Sequence, residues 1–337
     1  MKKLISYVLT CALALSVFMG CGANSAQISD EEVASAGTDS EAISVVTTIF
    51  PEYDWVREIV GDKADVEITM LLDKGVDLHS YQPTAEDIMK IATCDVFIYV
   101  GGESDEWVED ALKEATNQNM QVVNLLDVLG SQVKEEEVVE GMEAEEEEEE
   151  GEEGEEEEVE YDEHVWLSLK NAQTLVDAIA EAISAVDAAG ADTYKANSAN
   201  YNSKLADLDN QYEAAVSAAN VNTVLFGDRF PFRYLVDDYN ISYYAAFVGC
   251  SAETEASFET VKFLADKVDE LGLKTVFTIE NSDQKIAKTI IENTNSKDAQ
   301  ILTLNSMQST TSQDVASGAT YLSIMEENLK VLQEGLK

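Results

Sequence analysis

Residues 191–219 read ADTYKANSANYNSKLADLDNQYEAAVSAA, a stretch with neither glycine nor proline. Tyr201, Leu205, Leu208 and Tyr212 recur along it at helical spacing and mark a single apolar stripe. At about 1.5 Å per residue such a helix reaches over roughly 40 Å, enough to run along two lobes rather than one. The fold therefore turns on what lies to either side of it.

On the N-terminal side, apolar strand-like runs at 44–50, 66–72, 95–101 and 122–126 alternate with helical patterns at 52–61, 85–93 and 105–115. Thr84 with Asp87 three residues on is a helix-start signature. On the C-terminal side the alternation begins again. Strands are expected at 223–226, 241–247, 275–279 and 301–304, and helices near 232–239, 258–271, 283–295 and 313–332. Four strands interleaved with helices imply a mostly parallel sheet. The expected fold class is α/β, with two similar lobes, each a four-stranded sheet flanked by helices, joined by the long bridging helix. A ligand would sit where the C-terminal ends of the strands of the two lobes face each other.

The 337 residues exceed what one hydrophobic core usually organises, and a hydrophobic fraction of 45% supplies material for two. A net charge of −46 argues against nucleic acid as a partner, because phosphate backbones need a Lys/Arg footprint. It favours cations. Twenty of the acidic residues fall between Glu135 and Glu163 without one Lys or Arg. Such a run repels itself and buries little, so residues 134–163 are expected to be a disordered insertion. The expected organisation is then a lobe over 42–133, this insertion, a return segment and bridging helix over 164–220 in which Ser168 caps a first helix, and a second lobe over 221–337.

At the N-terminus Lys2 and Lys3 precede an apolar run over 4–18, followed by Met19-Gly20-Cys21-Gly22. The run is too short to span a membrane and has the order of an export signal. Gly20-Cys21 resembles a bacterial lipoprotein processing site, although Phe18 and Met19 depart from the usual Leu-Ala. The reading is a signal peptide over 1–21, a lipid on Cys21 and a flexible tether over 22–41. Cys94 and Cys250 remain in the body of the chain, either paired in an oxidising compartment or as two small buried side chains.

The chain has two histidines. His79 lies in a loop after an expected strand, and His164 lies between the acidic tract and the next helix. Either alone reads as a surface residue, and their separation matches no local metal motif. The expected strands at 223–226 and 275–279 run into Asp228-Arg229 and Glu280, whose side chains would project into the cleft or simply cap helices.

Larger motifs settle the weighting. These are His79-Ser80-Tyr81-Gln82-Pro83-Thr84 followed by Asp87-Ile88; Trp107-Val108-Glu109; His164-Val165-Trp166-Leu167-Ser168; Phe232-Arg233-Tyr234-Leu235; and Tyr321-Leu322-Ser323-Ile324-Met325-Glu326-Glu327-Asn328-Leu329. In order and spacing the chain from Ser44 onward resembles the zinc- and manganese-binding lipoproteins of bacterial ABC importers. That resemblance implies two lobes bridged by a long helix, metal ligands at His79 and His164, and a carboxylate ligand at Glu280. It also implies a permease and its ATPase as partners, with the membrane reached through the lipid at Cys21. The family's third ligand falls on Arg229, which cannot ligate a cation. Arg229 would pair with Glu280 in the absence of metal or swing out, and the fourth ligand is left among Asp228, Cys250 and water.

Zinc is the expected cargo, since two imidazoles with carboxylates suit it. Long insertions at this place characterise the family's zinc members, although theirs are usually His-rich and this one is acidic. Manganese or iron is the alternative, favoured by more oxygen donors. A surface adhesin and, last, a zinc hydrolase are the remaining readings. No His-Glu-x-x-His motif supports hydrolysis, and the expectation is a binding protein, not an enzyme.

Overall fold

The computed structural model describes residues 42–63, 65–143, 160–251 and 255–337. The export signal, Cys21, the tether and residues 144–159 of the acidic tract lie outside them. From Glu41 to Lys337 the chain is one compact unit.

The first lobe contains β1 (Ile43–Thr47), α1 (Phe50–Val60), β2 (Val66–Met70), α2 (Ala85–Thr93), β3 (Val96–Tyr99), α3 (Trp107–Lys113), β4 (Gln121–Asn124) and α4 (Leu125–Leu129). Two helices follow, α5 (Leu169–Val186) and the long α6 (Ala191–Ser217). The second lobe contains β5 (Thr223–Phe230), α7 (Arg233–Asp238), β6 (Ser242–Val248), α8 (Phe258–Leu271), β7 (Thr275–Ile279), α9 (Lys285–Asn293), β8 (Gln300–Leu304), α10 (Ser312–Ala316) and α11 (Tyr321–Gly335). Both sheets are four-stranded and parallel, ordered β2-β1-β3-β4 and β6-β5-β7-β8. The expected α/β class and repeated lobe are what the chain forms. In each order the winding reverses between the first and third strands of the lobe, and the crevice at such a reversal is where ligands bind.

The bridging helix buries Tyr194, Ser198, Tyr201, Leu205, Leu208 and Tyr212, a stripe at steps of three and four residues. Polar side chains fix it to its neighbours. Asn197 Nδ2 donates to the carbonyl of Ile59 in α1 at 2.9 Å, and the Tyr212 hydroxyl donates to that of Met325 in α11 at 2.6 Å. One apolar core runs continuously from the first lobe through α5 and α6 into the second.

Local signals place the helix ends. Thr84 Oγ1 accepts from Asp87 N at 3.2 Å while Asp87 Oδ2 takes Thr84 N at 3.0 Å, and Ser168 Oγ accepts from Asn171 N at 3.0 Å. The single helix expected over 313–332 is two. Gly318 has φ +102°, a conformation that favours glycine, and Thr320 then caps a new helix with Oγ1 accepting from Ser323 N at 3.1 Å.

The two ends of the tract expected to be disordered have ordered backbone partners. Residues 134–143 and 160–163 are folded: Asp162 N donates to Lys134 O at 2.9 Å, Glu136 N to Glu160 O at 3.0 Å, and Glu143 N to Ala246 O at 2.9 Å. Composition overlooked specific partners for these carboxylates. Glu137 pairs with Arg233, and Glu143 Oε1 accepts from Ser257 N at 2.7 Å, at the N-terminus of α8. Cys94 and Cys250 are unpaired.

Asp54 of α1 is buried and accepts from Tyr321 N, at the start of α11, at 2.8 Å. Burial pushes its carboxyl up to about 6 from 3.8. A folded value above the unfolded one means the folded state binds the proton more tightly. The cost of ionising Asp54 is therefore fully present above pH 6 and fades as the pH falls from 6 towards 4. The stability of Asp54→Asn relative to the parent, measured by denaturant unfolding, is expected to be more favourable at pH 8 than at pH 5 by on the order of 1 kcal/mol. A pH-independent difference would contradict the assignment.

Candidate metal centre

The two histidines are 85 positions apart in sequence and adjacent in space, with His79 Nε2 and His164 Nε2 separated by 3.2 Å. His79 stands in a 3-10 turn (Leu78–Ser80) after β2, and His164 begins another (Val165–Leu167) where the chain leaves the insertion. Each is set by an aspartate two residues earlier. Asp77 Oδ1 accepts from His79 N at 3.2 Å, and Asp162 Oδ1 accepts from His164 N at 2.9 Å. The repeated Asp-x-His pattern is visible in the sequence and was the signal available there for both aspartates.

The ring orientations follow from the second nitrogens. His164 Nδ1 lies 3.0 Å from Asp162 Oδ1, and a carboxylate oxygen requires a donor, so Nδ1 carries the hydrogen and Nε2 presents its lone pair. His79 Nδ1 lies 2.7 Å from Ser104 Oγ and 3.5 Å from Glu163 Oε2. Burial, and then the neighbouring His164 ring, push His79 down to about 3, which keeps it neutral at physiological pH. Burial also raises Glu163 to about 7.

Cys250, in the turn after β6, is the third member of the cluster. Its sulfur and a nitrogen from each histidine all lie within 4.8 Å of one another. The preceding residue has to be glycine. A Cβ at Gly249 would stand 2.9 Å from His164 Cε1 and 3.0 Å from Phe230 O. Burial, and then Glu163 and the other acids nearby, hold the Cys250 thiol well above its ordinary value, and a bound cation reverses that tendency.

The remaining expected residues are arranged differently. Glu280, at the end of β7, turns its carboxylate onto Ser306, taking the backbone N–H and the hydroxyl at 2.7 Å each. Asp228 accepts from Arg229 N at 3.0 Å and from Ile279 N at 3.4 Å, so it is committed to the backbone. The register of β5 against β6 shifts between Phe226 and Arg229, and this irregularity invalidates a face assignment by simple alternation. Arg229 pairs not with Glu280 but with Asp77 of the first lobe. Burial works to raise the Asp77 carboxyl, and the Arg229 guanidinium outweighs it and holds the group below its ordinary value. Arg229 also donates to Gln308 Oε1 at 3.0 Å, and Gln308 Nε2 reaches both histidines, His79 Nε2 at 3.2 Å and His164 Nε2 more closely. Gln308 is buried in the loop after β8, and nothing in its sequence surroundings announced it.

Two imidazole nitrogens and a sulfur within this compass suit a soft-to-borderline cation. Nitrogens each about 2.0–2.1 Å from a tetrahedral zinc stand roughly 3.3 Å apart, close to the separation of the two histidine nitrogens.

Comparisons with known proteins give the chain's family and its structural neighbours. The family described as zinc-uptake complex component A, periplasmic, matches residues 45–335. The zinc-binding lipoprotein AdcA of Streptococcus pneumoniae is 32% identical over 298 residues, covering 87% of this chain and 55% of that protein, so the chain spans about half the length of that relative. The high-affinity zinc uptake system protein ZnuA of Bacillus subtilis is 29% identical over 305 residues, 90% of each chain. Among solved structures, the Zn(II)-bound ZnuA-like domain of the S. pneumoniae AdcA superposes with a TM-score of 0.67 at 27% identity, covering 87% of this chain and 98% of that one.

Proposed function

The chain belongs to the zinc-uptake complex component A family, and from that premise we propose that it captures a zinc ion outside the cytoplasm and hands it to an ABC permease. The observation that carries this reading is the meeting of His79 and His164 with their Nε2 atoms 3.2 Å apart. Relatives that carry zinc in their names, and a zinc-bound neighbour of the same fold, support it.

His79 and His164 are the two principal ligands, with Cys250 as the third and Glu280 as the carboxylate that completes the set once it leaves Ser306. A thiolate beside two imidazoles favours zinc over manganese, which prefers oxygen donors. The metal is cargo, so the site needs donors and release rather than a reacting centre, and the protein acts as a binding component, not an enzyme. The proposed organisation is the signal peptide over 1–21, the tether over 22–41, lobes over 42–133 and 221–337, and the return segment with the bridging helix over 164–220 between them. A lipid on Cys21 would hold the protein at the membrane beside its permease and the associated ATPase. Among the described residues no helix is long and apolar enough to cross a membrane.

Competitive titration of the protein against a chromophoric chelator is the test. The expected result is one zinc per chain, with manganese held at least about a hundredfold more weakly. Mass spectrometry of the membrane-extracted protein is expected to find an acylated N-terminal Cys21. Absence of stoichiometric zinc binding would overturn the function, and an unmodified Cys21 the anchor.

A further inference from the structure

The amide of Gln308 stands against the Nε2 atoms of both imidazoles, and its orientation follows from its neighbour. Arginine can only donate, so the Gln308 atom 3.0 Å from the Arg229 guanidinium is the oxygen Oε1. Nε2 must then face the histidines, and both histidine Nε2 atoms are within its reach. A primary amide nitrogen carries two hydrogens, one for each ring. The amide nitrogen and the two ring Nε2 atoms thus form one compact cluster at the place where the rings meet.

We propose that Gln308 is a built-in substitute for the metal, an amide that occupies the cation's place on His79 and His164 and must be displaced before any ion binds. This inference rests on the metal-capture reading and deepens it. The amide is held from behind. Arg229 fixes Oε1 and is itself paired with Asp77, which belongs to the first lobe and whose other oxygen holds the His79 turn. The chain Gln308–Arg229–Asp77 therefore crosses the cleft and ends at one of the ligands. The backbone bearing Gln308 is pinned as well, with Met307 N donating to Asn305 Oδ1 at 2.8 Å and Asn305 N to Asn328 Oδ1 at 2.8 Å. Displacement is accordingly a side-chain movement.

A competitor of this kind lowers the affinity of every cation by the same factor. In a chain of net charge −46, which gathers cations indiscriminately, that factor sets a threshold. Ions that bind imidazole weakly fail to displace the amide, and zinc succeeds. It also gives the inward-facing ring nitrogens a polar partner when no metal is bound. Arginine at a position where the family places a ligand thus acquires a role, that of holding the substitute in place.

The test is competitive zinc titration of the full chain carrying Gln308→Ala and, separately, the nearly isosteric Gln308→Leu. Both are expected to bind one zinc about tenfold more tightly than the parent, since two modest hydrogen bonds no longer compete. Damage to the fold cannot produce a gain in affinity. Unchanged affinity in the variants would overturn the proposal, and weaker binding would make Gln308 a ligand instead. Without any substitution, the Gln308 side-chain amide protons in the NMR spectrum are expected to exchange slowly in metal-free protein. They should lose that protection on one equivalent of zinc, and retention of it would also overturn the idea. Failure of parent and variants alike to bind zinc would defeat the underlying function instead.

Discussion

His164→Ala is expected to weaken zinc binding by at least about a hundredfold and to abolish stoichiometric capture at micromolar protein. The ring is fully buried and its Nδ1 is held by Asp162, so its Nε2 is preorganised in a way that a water filling the vacated space is not. Losing it halves the imidazole donors and leaves Asp162 without its ring partner. Comparison of thermal midpoints in chelator separates this from misfolding, because the main-chain bond from residue 164 to Asp162 survives the substitution. The other donors should follow in graded order. Cys250→Ser removes a sulfur that already lies beside both histidines and is expected to cost more affinity than Glu280→Gln, whose carboxylate must first leave Ser306. A His164→Ala protein that binds zinc as the parent does would remove the site from this part of the cleft.

Trp166→Ala is expected to be the most destabilising single change near the site, by about 3–5 kcal/mol, with a fall in thermal midpoint of roughly 10 °C. The indole is fully buried, and its Nε1 donates to Ser306 O at 2.8 Å. The Trp166 carbonyl accepts from the Tyr321 hydroxyl at 2.7 Å, and the ring lies 5.3 Å from that of His164. One residue thus ties the return segment to the loop that carries Glu280's partner and to the start of α11. Trp166→Phe keeps most of the volume and loses the hydrogen bond, so its cost should be nearer 1–3 kcal/mol, roughly the penalty of one unsatisfied buried carbonyl. Calorimetry of the metal-free proteins distinguishes the two. Equal midpoints for the alanine variant and the parent would mean that the cavity collapses without loss.

The sequence features that translated directly are those governed by local periodicity. The stripe Tyr201, Leu205, Leu208, Tyr212 is buried along one helix, as its spacing requires. The recurring apolar runs became parallel strands, because a strand covered on both faces reads as continuous hydrophobic residues. Thr84 and Ser168 cap the helices they precede. The two histidines were nameable because they are the chain's whole complement and because the motifs around them are extended.

What escaped reading depends on groups brought together from distant parts of the chain. Composition marked residues 134–163 as unfolded, yet Arg233 and the N-terminus of α8 supply partners that no local count contains. Arg229 met Asp77 rather than Glu280 because the register of β5 slips just before it, and a slip of one residue reverses the face a side chain occupies. Gln308 carries no sequence signature whatever, since an amide becomes informative only when its neighbours specify which end donates. Fold class and the two histidines that meet in the cleft are local or motif-borne features and were legible along the chain. The approach of Cys250 and of the Gln308 amide to those histidines arises from long-range packing, which one-dimensional spacing does not encode.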